Sequence, residues 1–126
     1  MAHKKILIID DEKAFAVMLK LNLEATGRYQ VRVENEGRDA LPAAVQFLPD
    51  LILLDIIMPE IDGAEIAFQI KNNKDLQKTP IVFLTAAVRK DEVESQDGKI
   101  SGYPFVAKTS SLTFLLQTID KALAPF

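Results

Sequence analysis

The chain has 126 residues, 48% hydrophobic and 26% charged, a balance that suits one globular domain and leaves little room for a second. A net charge of −3 argues against a non-specific nucleic-acid binder, and the absence of cysteine excludes a disulfide framework or a thiolate metal site. No apolar run approaches the ~20 residues of a membrane span, and the run after Met1-Ala2-His3-Lys4-Lys5 is too short for a signal-peptide core, so a cytoplasmic location is expected.

In chain order, residues 6–9 form a continuous apolar run ending at Asp10-Asp11, as expected of a strand covered on both faces. From Asp11 onward Phe15, Met18, Leu19, Leu21 and Leu23 predict a helix that stops at Gly27. Residues 29–33 alternate and predict a strand, and 38–47 predict a helix ended by Pro49. A second apolar run, 51–54, leads into Asp55. Residues 63–71 place Ile66, Ala67 and Ile70 on one helical face and close in Asn72-Asn73-Lys74. A third run, 81–84, ends at Thr85, and the polar stretch 89–99 predicts only a weak, exposed helix. Residues 103–106 predict a last strand, and 112–123 a last helix with Leu115, Leu116 and Ile119 facing inward. Five β-α units in succession predict an α/β fold, a doubly wound parallel sheet with helices on both faces. The expectation is a single domain over 1–126 with no output domain following. His3 is expected to be solvated, and Met58 and the phenylalanines to lie in the core.

In such a sheet, functional groups collect beyond the carboxyl ends of the strands. Here those ends supply Asp10-Asp11, Asp55 and Thr85, with Lys108 following the last strand. Three carboxylates crowded together repel one another, so either some are protonated or a cation fills the site. Carboxylate oxygens open to water suit Mg²⁺, which shares its shell with waters and a phosphoryl group. A phosphate- or flavin-binding relative of the fold would offer glycines and hydroxyls after the first strand. Asp10-Asp11-Glu12 would instead repel an anion without a metal. An aspartate beside Mg²⁺ can form an aspartyl phosphate, with a lysine and a hydroxyl holding the phosphoryl oxygens.

The run into Asp10-Asp11, then Leu53-Leu54-Asp55-Ile56-Ile57-Met58-Pro59, Asp62-Gly63, Leu84-Thr85-Ala86 and Ala107-Lys108 together resemble the receiver domains of two-component response regulators, chemotaxis-regulator-like, over essentially the whole chain. The resemblance implies a flavodoxin-like strand order 2-1-3-4-5 and a phosphorelay function, with the phosphoryl group coming from a histidine kinase or phosphotransfer partner. It makes Asp55 the phosphoacceptor and Asp11 the direct Mg²⁺ ligand, supported by Asp10 and completed by the backbone carbonyl of Ile57. It makes Thr85 the switch hydroxyl, Lys108 its phosphoryl-pairing partner and Phe105 the switch aromatic. A downstream protein would read the face of the fourth helix, fifth strand and fifth helix. The domain would bind neither nucleic acid nor membrane directly, and would be a monomer or a weak phosphorylation-dependent dimer.

The sequence departs from the family twice. Thr109 follows Lys108 where the family carries a proline in a cis peptide, which predicts a trans bond or a strained cis one and an altered presentation of Lys108. Ile57 and Ala87, at the family's tuning positions, are apolar and offer nothing to orient an attacking water, which predicts slow autodephosphorylation. Two other readings are a receiver-like interaction module that works without phosphorylation, and a Mg²⁺-dependent phosphatase or phosphotransferase acting through Asp55. The second needs another acid/base carboxylate and an enclosing cap, and Ile56-Ile57 and the short loops supply neither. Asp10-Asp11-Glu12 also suit the start of a helix on dipole grounds alone.

Overall fold

The computed structural model describes residues 3–86, 99–100 and 102–124. Its elements in order are β1 (Lys4–Ile9), α1 (Lys13–Glu24), β2 (Tyr29–Glu34), a 3-10 turn (Gly37–Asp39), α2 (Ala40–Phe47), β3 (Leu51–Asp55), α3 (Gly63–Lys71), β4 (Ile81–Thr85), β5 (Lys99–Ile100), β6 (Tyr103–Ala107) and α4 (Leu112–Leu123). Five strands run parallel in the order β2-β1-β3-β4-β6, which is the expected 2-1-3-4-5 arrangement. The short β5 adds an antiparallel edge through Lys99 and Ile100, so residue 99 lies in a strand rather than at the end of the expected polar helix. The rest of that helix, 89–98, lies outside the described residues. No helix among the described residues is long and apolar enough to cross a membrane.

The continuous apolar strands are explained by burial on both faces. Ile6 and Ile8 enter a core cluster with Ala16, Leu19 and Leu23 of α1 and Leu115 and Ile119 of α4. Leu7 and Ile9 point the other way, into a second cluster with Ala40, Ala43, Ala44, Ile66 and Ile70 of α2 and α3. Every residue of β3 and β4 is buried, and each such leucine or isoleucine contributes about 1.5–3 kcal/mol relative to exposure. This rigid sheet fixes where its carboxyl ends lie.

Helix boundaries follow local chemistry. Asp62 caps α3 by accepting from the Glu65 amide at 2.9 Å, and Ser111 caps α4 by accepting from the Phe114 amide at 3.1 Å. Pro42 sits in the first turn of α2, where its missing N–H breaks no helical bond. Along α1 the buried positions are 16, 19 and 23, so Met18 and Leu21 of the expected pattern are exposed together with Val17. Phe68 and Phe114 are also exposed, against the expectation that the phenylalanines are core; Phe83 and Met58 are buried as expected.

Candidate functional site at the carboxyl edge of the sheet

Parallel strands in register deliver their terminal residues to one edge. Ile9 lies beside Leu54, Asp55 beside Leu84, and Thr85 beside Ala107, so Asp10, Asp55, Thr85 and Lys108 emerge together. The Lys108 amide donates to the Thr85 carbonyl at 2.8 Å, which anchors the lysine backbone to β4. Carboxylate oxygens of Asp10, Asp11 and Asp55 all lie within 4.8 Å of one another. Asp10, Asp55 and Thr85 are buried, whereas Asp11 reaches solvent.

The Lys108 ammonium lies 2.6 Å from Glu12 Oε1, 2.9 Å from Asp10 Oδ2 and 3.4 Å from Asp55 Oδ2. Burial works against its charge, but the hydrogen bonds to Glu12 and Asp10 and the charges of Asp10 and Asp55 outweigh it and raise its pKa. Asp55 shows the opposite stress. Burial first, then the nearby Asp10 charge and a hydrogen bond shared with Asp11, push its carboxyl up to about 7, despite Lys108 and the Ile57 amide pulling it down. Among the described residues one ammonium faces this set, and it does not balance it.

The donor set fits Mg²⁺. Three carboxylates supply hard oxygens, one of them reaches water, and the cluster lies where the parallel strands end. Asp10 Oδ2 is buried and accepts no hydrogen bond among the described residues, although the ammonium is close. A small cation would relieve the mutual repulsion of the three carboxylates, which the ammonium offsets only in part.

Other expected residues are placed as follows. The Ile57 amide donates to Asp55 Oδ1 at 3.2 Å, so its backbone adjoins the carboxylate while its side chain is 69% exposed at the rim. Phe105 is half-buried against the second core cluster. Ala87 lies outside the described residues. The Lys108–Thr109 peptide is trans, and Lys108 enters the pocket nonetheless, because its amide is held by β4 rather than by the following residue. Gly63 serves the close approach of two backbone segments. Its amide donates to the Ile56 carbonyl at 2.8 Å, and a Cβ there would stand 2.6 Å from the Asp55 carbonyl oxygen. The left-handed residue of that loop is Glu60, with φ 73°.

Three further residues contribute, of which the sequence placed only Glu12 at this edge, as an acid of the anion-repelling turn and without a partner. Glu12 bonds Lys108, Asn35 Nδ2 donates to the Asp10 carbonyl at 2.9 Å, and the Phe15 ring lies 4.9 Å from the ammonium. Glu12 alone carried a signal, as a further acid directly after Asp10-Asp11. Asn35 and Phe15 reach the site through folding only.

The described residues thus form a doubly wound parallel sheet with two buried carboxylates, a third that reaches solvent, and a lysine gathered at its carboxyl edge. The chain belongs to the response regulator receiver domain family, whose model matches residues 6–120. It is 42% identical over 90 residues to the alkaline phosphatase synthesis transcriptional regulatory protein PhoP of Bacillus subtilis, covering 71% of this chain and 35% of that protein. It thus spans about a third of PhoP. The polar-differentiation response regulator DivK of Brucella anthropi is 31% identical over 121 residues, covering 95% of this chain and 96% of DivK. Among solved structures, the chemotaxis protein CheY4 of Vibrio cholerae superposes with a TM-score of 0.83 at 29% identity, covering 97% of this chain and all of that one. The BeF3-activated N-terminal receiver domain of Klebsiella pneumoniae RstA gives 0.79 at 26% identity, covering 95% and 98%.

Proposed function

We propose that the chain accepts a phosphoryl group on Asp55 from a phosphohistidine of a histidine kinase or phosphotransfer protein. The observation that carries this reading is the position of Asp55: a buried carboxylate at the strand end, grouped with Asp10 and Asp11 and 3.4 Å from Lys108. In the transfer, an Asp55 oxygen bonds phosphorus as the phosphorus–imidazole bond breaks, and the imidazole nitrogen leaves with the electron pair. Lys108 supplies positive charge to the phosphoryl oxygens, and Thr85, at the end of the neighbouring strand, supplies a hydroxyl. Mg²⁺, held by Asp10, Asp11, Asp55 and the Ile57 carbonyl, would neutralise carboxylate and phosphoryl charge. The cleft beside the site, lined by Asp11, Asn35, Arg38, Met58 and Glu60, measures only about 130 Å³, which favours a protein-borne phosphoryl donor over an enclosed small substrate.

The switch would run from Thr85 to Phe105, which shares the β4–β6 pairing, and on to a partner reading the face of β6 and α4. Exposed Val17, Met18 and Leu21 of α1 offer an apolar surface for the phosphoryl donor beside the pocket. The domain is read as cytoplasmic, and as a monomer or weak phosphorylation-dependent dimer. Intact mass after incubation with Mg²⁺ and acetyl phosphate tests the acceptor role. One phosphoryl adduct on the wild type, absent from Asp55→Ala and abolished by a chelator, is expected. No adduct on a folded protein would replace this reading with a phosphorylation-independent interaction module. The apolar Ile57 at the rim predicts an adduct lifetime well beyond seconds, measured by the decay of the same mass peak.

A further inference from the structure

The geometry points to Glu12 as a positioning residue that competes for Lys108, holding the ammonium toward the rim until a phosphoryl oxygen on Asp55 displaces it. The inference rests on the acceptor reading above and adds to it a control of how readily the acceptor is loaded. Three observations carry it. Glu12 occupies the N-cap position of α1 with extended backbone (φ −82°, ψ 93°), yet its side chain caps no backbone amide. Glutamate is a poor cap in any case. Its carboxylate goes instead to the Lys108 ammonium, and 2.6 Å makes this the shortest of that ammonium's ion pairs among the described residues, against 2.9 Å to Asp10 and 3.4 Å to Asp55. One turn further along α1, the Phe15 ring lies 4.9 Å from the same nitrogen, so the first turn of this helix draws the ammonium from two points.

Exposure separates Glu12 from the other acids. Its side chain is 58% exposed, whereas that of Asp10 is fully buried and that of Asp55 nearly so. Glu12 can therefore swing into water when released, at little desolvation cost, and Asp10 cannot. A phosphoryl group brings a charge between −1.5 and −2 and three acceptor oxygens, roughly by its second ionisation near pH 6, which favours transfer of the ammonium from Glu12 to phosphate. Before transfer, the Glu12–Lys108 pair stabilises the unloaded state. After transfer it no longer exists. Removing Glu12 should thus speed loading and leave hydrolysis unchanged.

The test compares wild type, Glu12→Gln and Glu12→Asp for phosphoryl uptake from acetyl phosphate with Mg²⁺, and for the decay of the adduct. Uptake by Glu12→Gln should rise about two- to fivefold, the range an exposed ion pair allows, with decay at the wild-type rate. Glu12→Asp keeps the charge but is one methylene short, and should resemble Glu12→Gln. Beryllofluoride affinity, read from amide NMR shifts without any turnover, should tighten by the same factor. If both rates move together, if uptake is unchanged, or if Glu12→Asp behaves as wild type, contact competition by Glu12 is overturned while the acceptor reading survives. A wild type that takes no phosphoryl group at all overturns both.

Discussion

The two ends of the sheet handle charge in opposite ways. At the amino end, Lys5 Nζ donates to the Phe47 carbonyl and the Lys5 amide to Asp50, each at 2.7 Å. Nearby, Arg28 pairs with Asp120 at 3.3 Å, both side chains about half exposed, and the Tyr29 hydroxyl donates to the same carboxylate. Each charge there has a local partner or water. At the carboxyl end, Asp10 and Asp55 are buried, Asp11 adds a third carboxylate, and among the described residues one ammonium faces them. Solvated, locally paired charge is structural and nearly neutral in energy. Buried, under-compensated charge costs stability and is retained where chemistry uses it.

Removing Lys108 should sharpen that contrast most. Lys108→Ala leaves buried carboxylates without their cation and should cost about 3 kcal/mol in urea unfolding at pH 8 without Mg²⁺, the low end expected for breaking a buried pair because the rim is open. Added Mg²⁺ should restore part of that loss, by binding the folded state alone. A cost under 0.5 kcal/mol would make the two ends equivalent.

The pH dependence is the next largest effect. Unfolded, an aspartate titrates at about 3.9. In the fold Asp55 is pushed up to about 7. Between these values the folded chain holds a proton the unfolded chain has released, so the contribution of Asp55 to stability falls as pH rises through this window and the full penalty applies above it. Asp55→Asn removes the penalty and should stabilise the metal-free protein at pH 8 by about 1–2 kcal/mol after discounting for solvent at the rim, with little gain at pH 4. Equal gains at both values would show that charge is not the cause. The smallest effect belongs to the amino end, where Arg28→Ala should change stability by no more than about 0.5 kcal/mol, and less in high salt.

Much of the fold was legible in the residues. The runs at 6–9, 51–54 and 81–84 became β1, β3 and β4, extended by one or two polar residues that pair along the strands but carry no apolar signal. The bounds of α3 and α4 matched their sequence expectations, since Asp62 and Ser111 mark the starts by capping. Along α1 the apolar excess misled, because Val17, Met18 and Leu21 fit the composition of a core while the buried stripe is Ala16, Leu19 and Leu23. Of the site, Asp10, Asp11, Asp55, Thr85 and Lys108 converge as their places at strand ends required.

Sequence by itself determined the class of fold and the chemical identity of the pocket. Alternation of apolar runs with amphipathic segments admits few architectures, and parallel strands carry their terminal residues to one edge. Only the tertiary structure decided how the charges share partners. Lys108 is 96 residues from Glu12 and 53 from Asp55, and nothing in either neighbourhood states that the ammonium lies nearer the first than the second. That choice depends on ångström differences in where β1, β3 and β6 end and on which groups keep their water, quantities set by packing across the whole sheet.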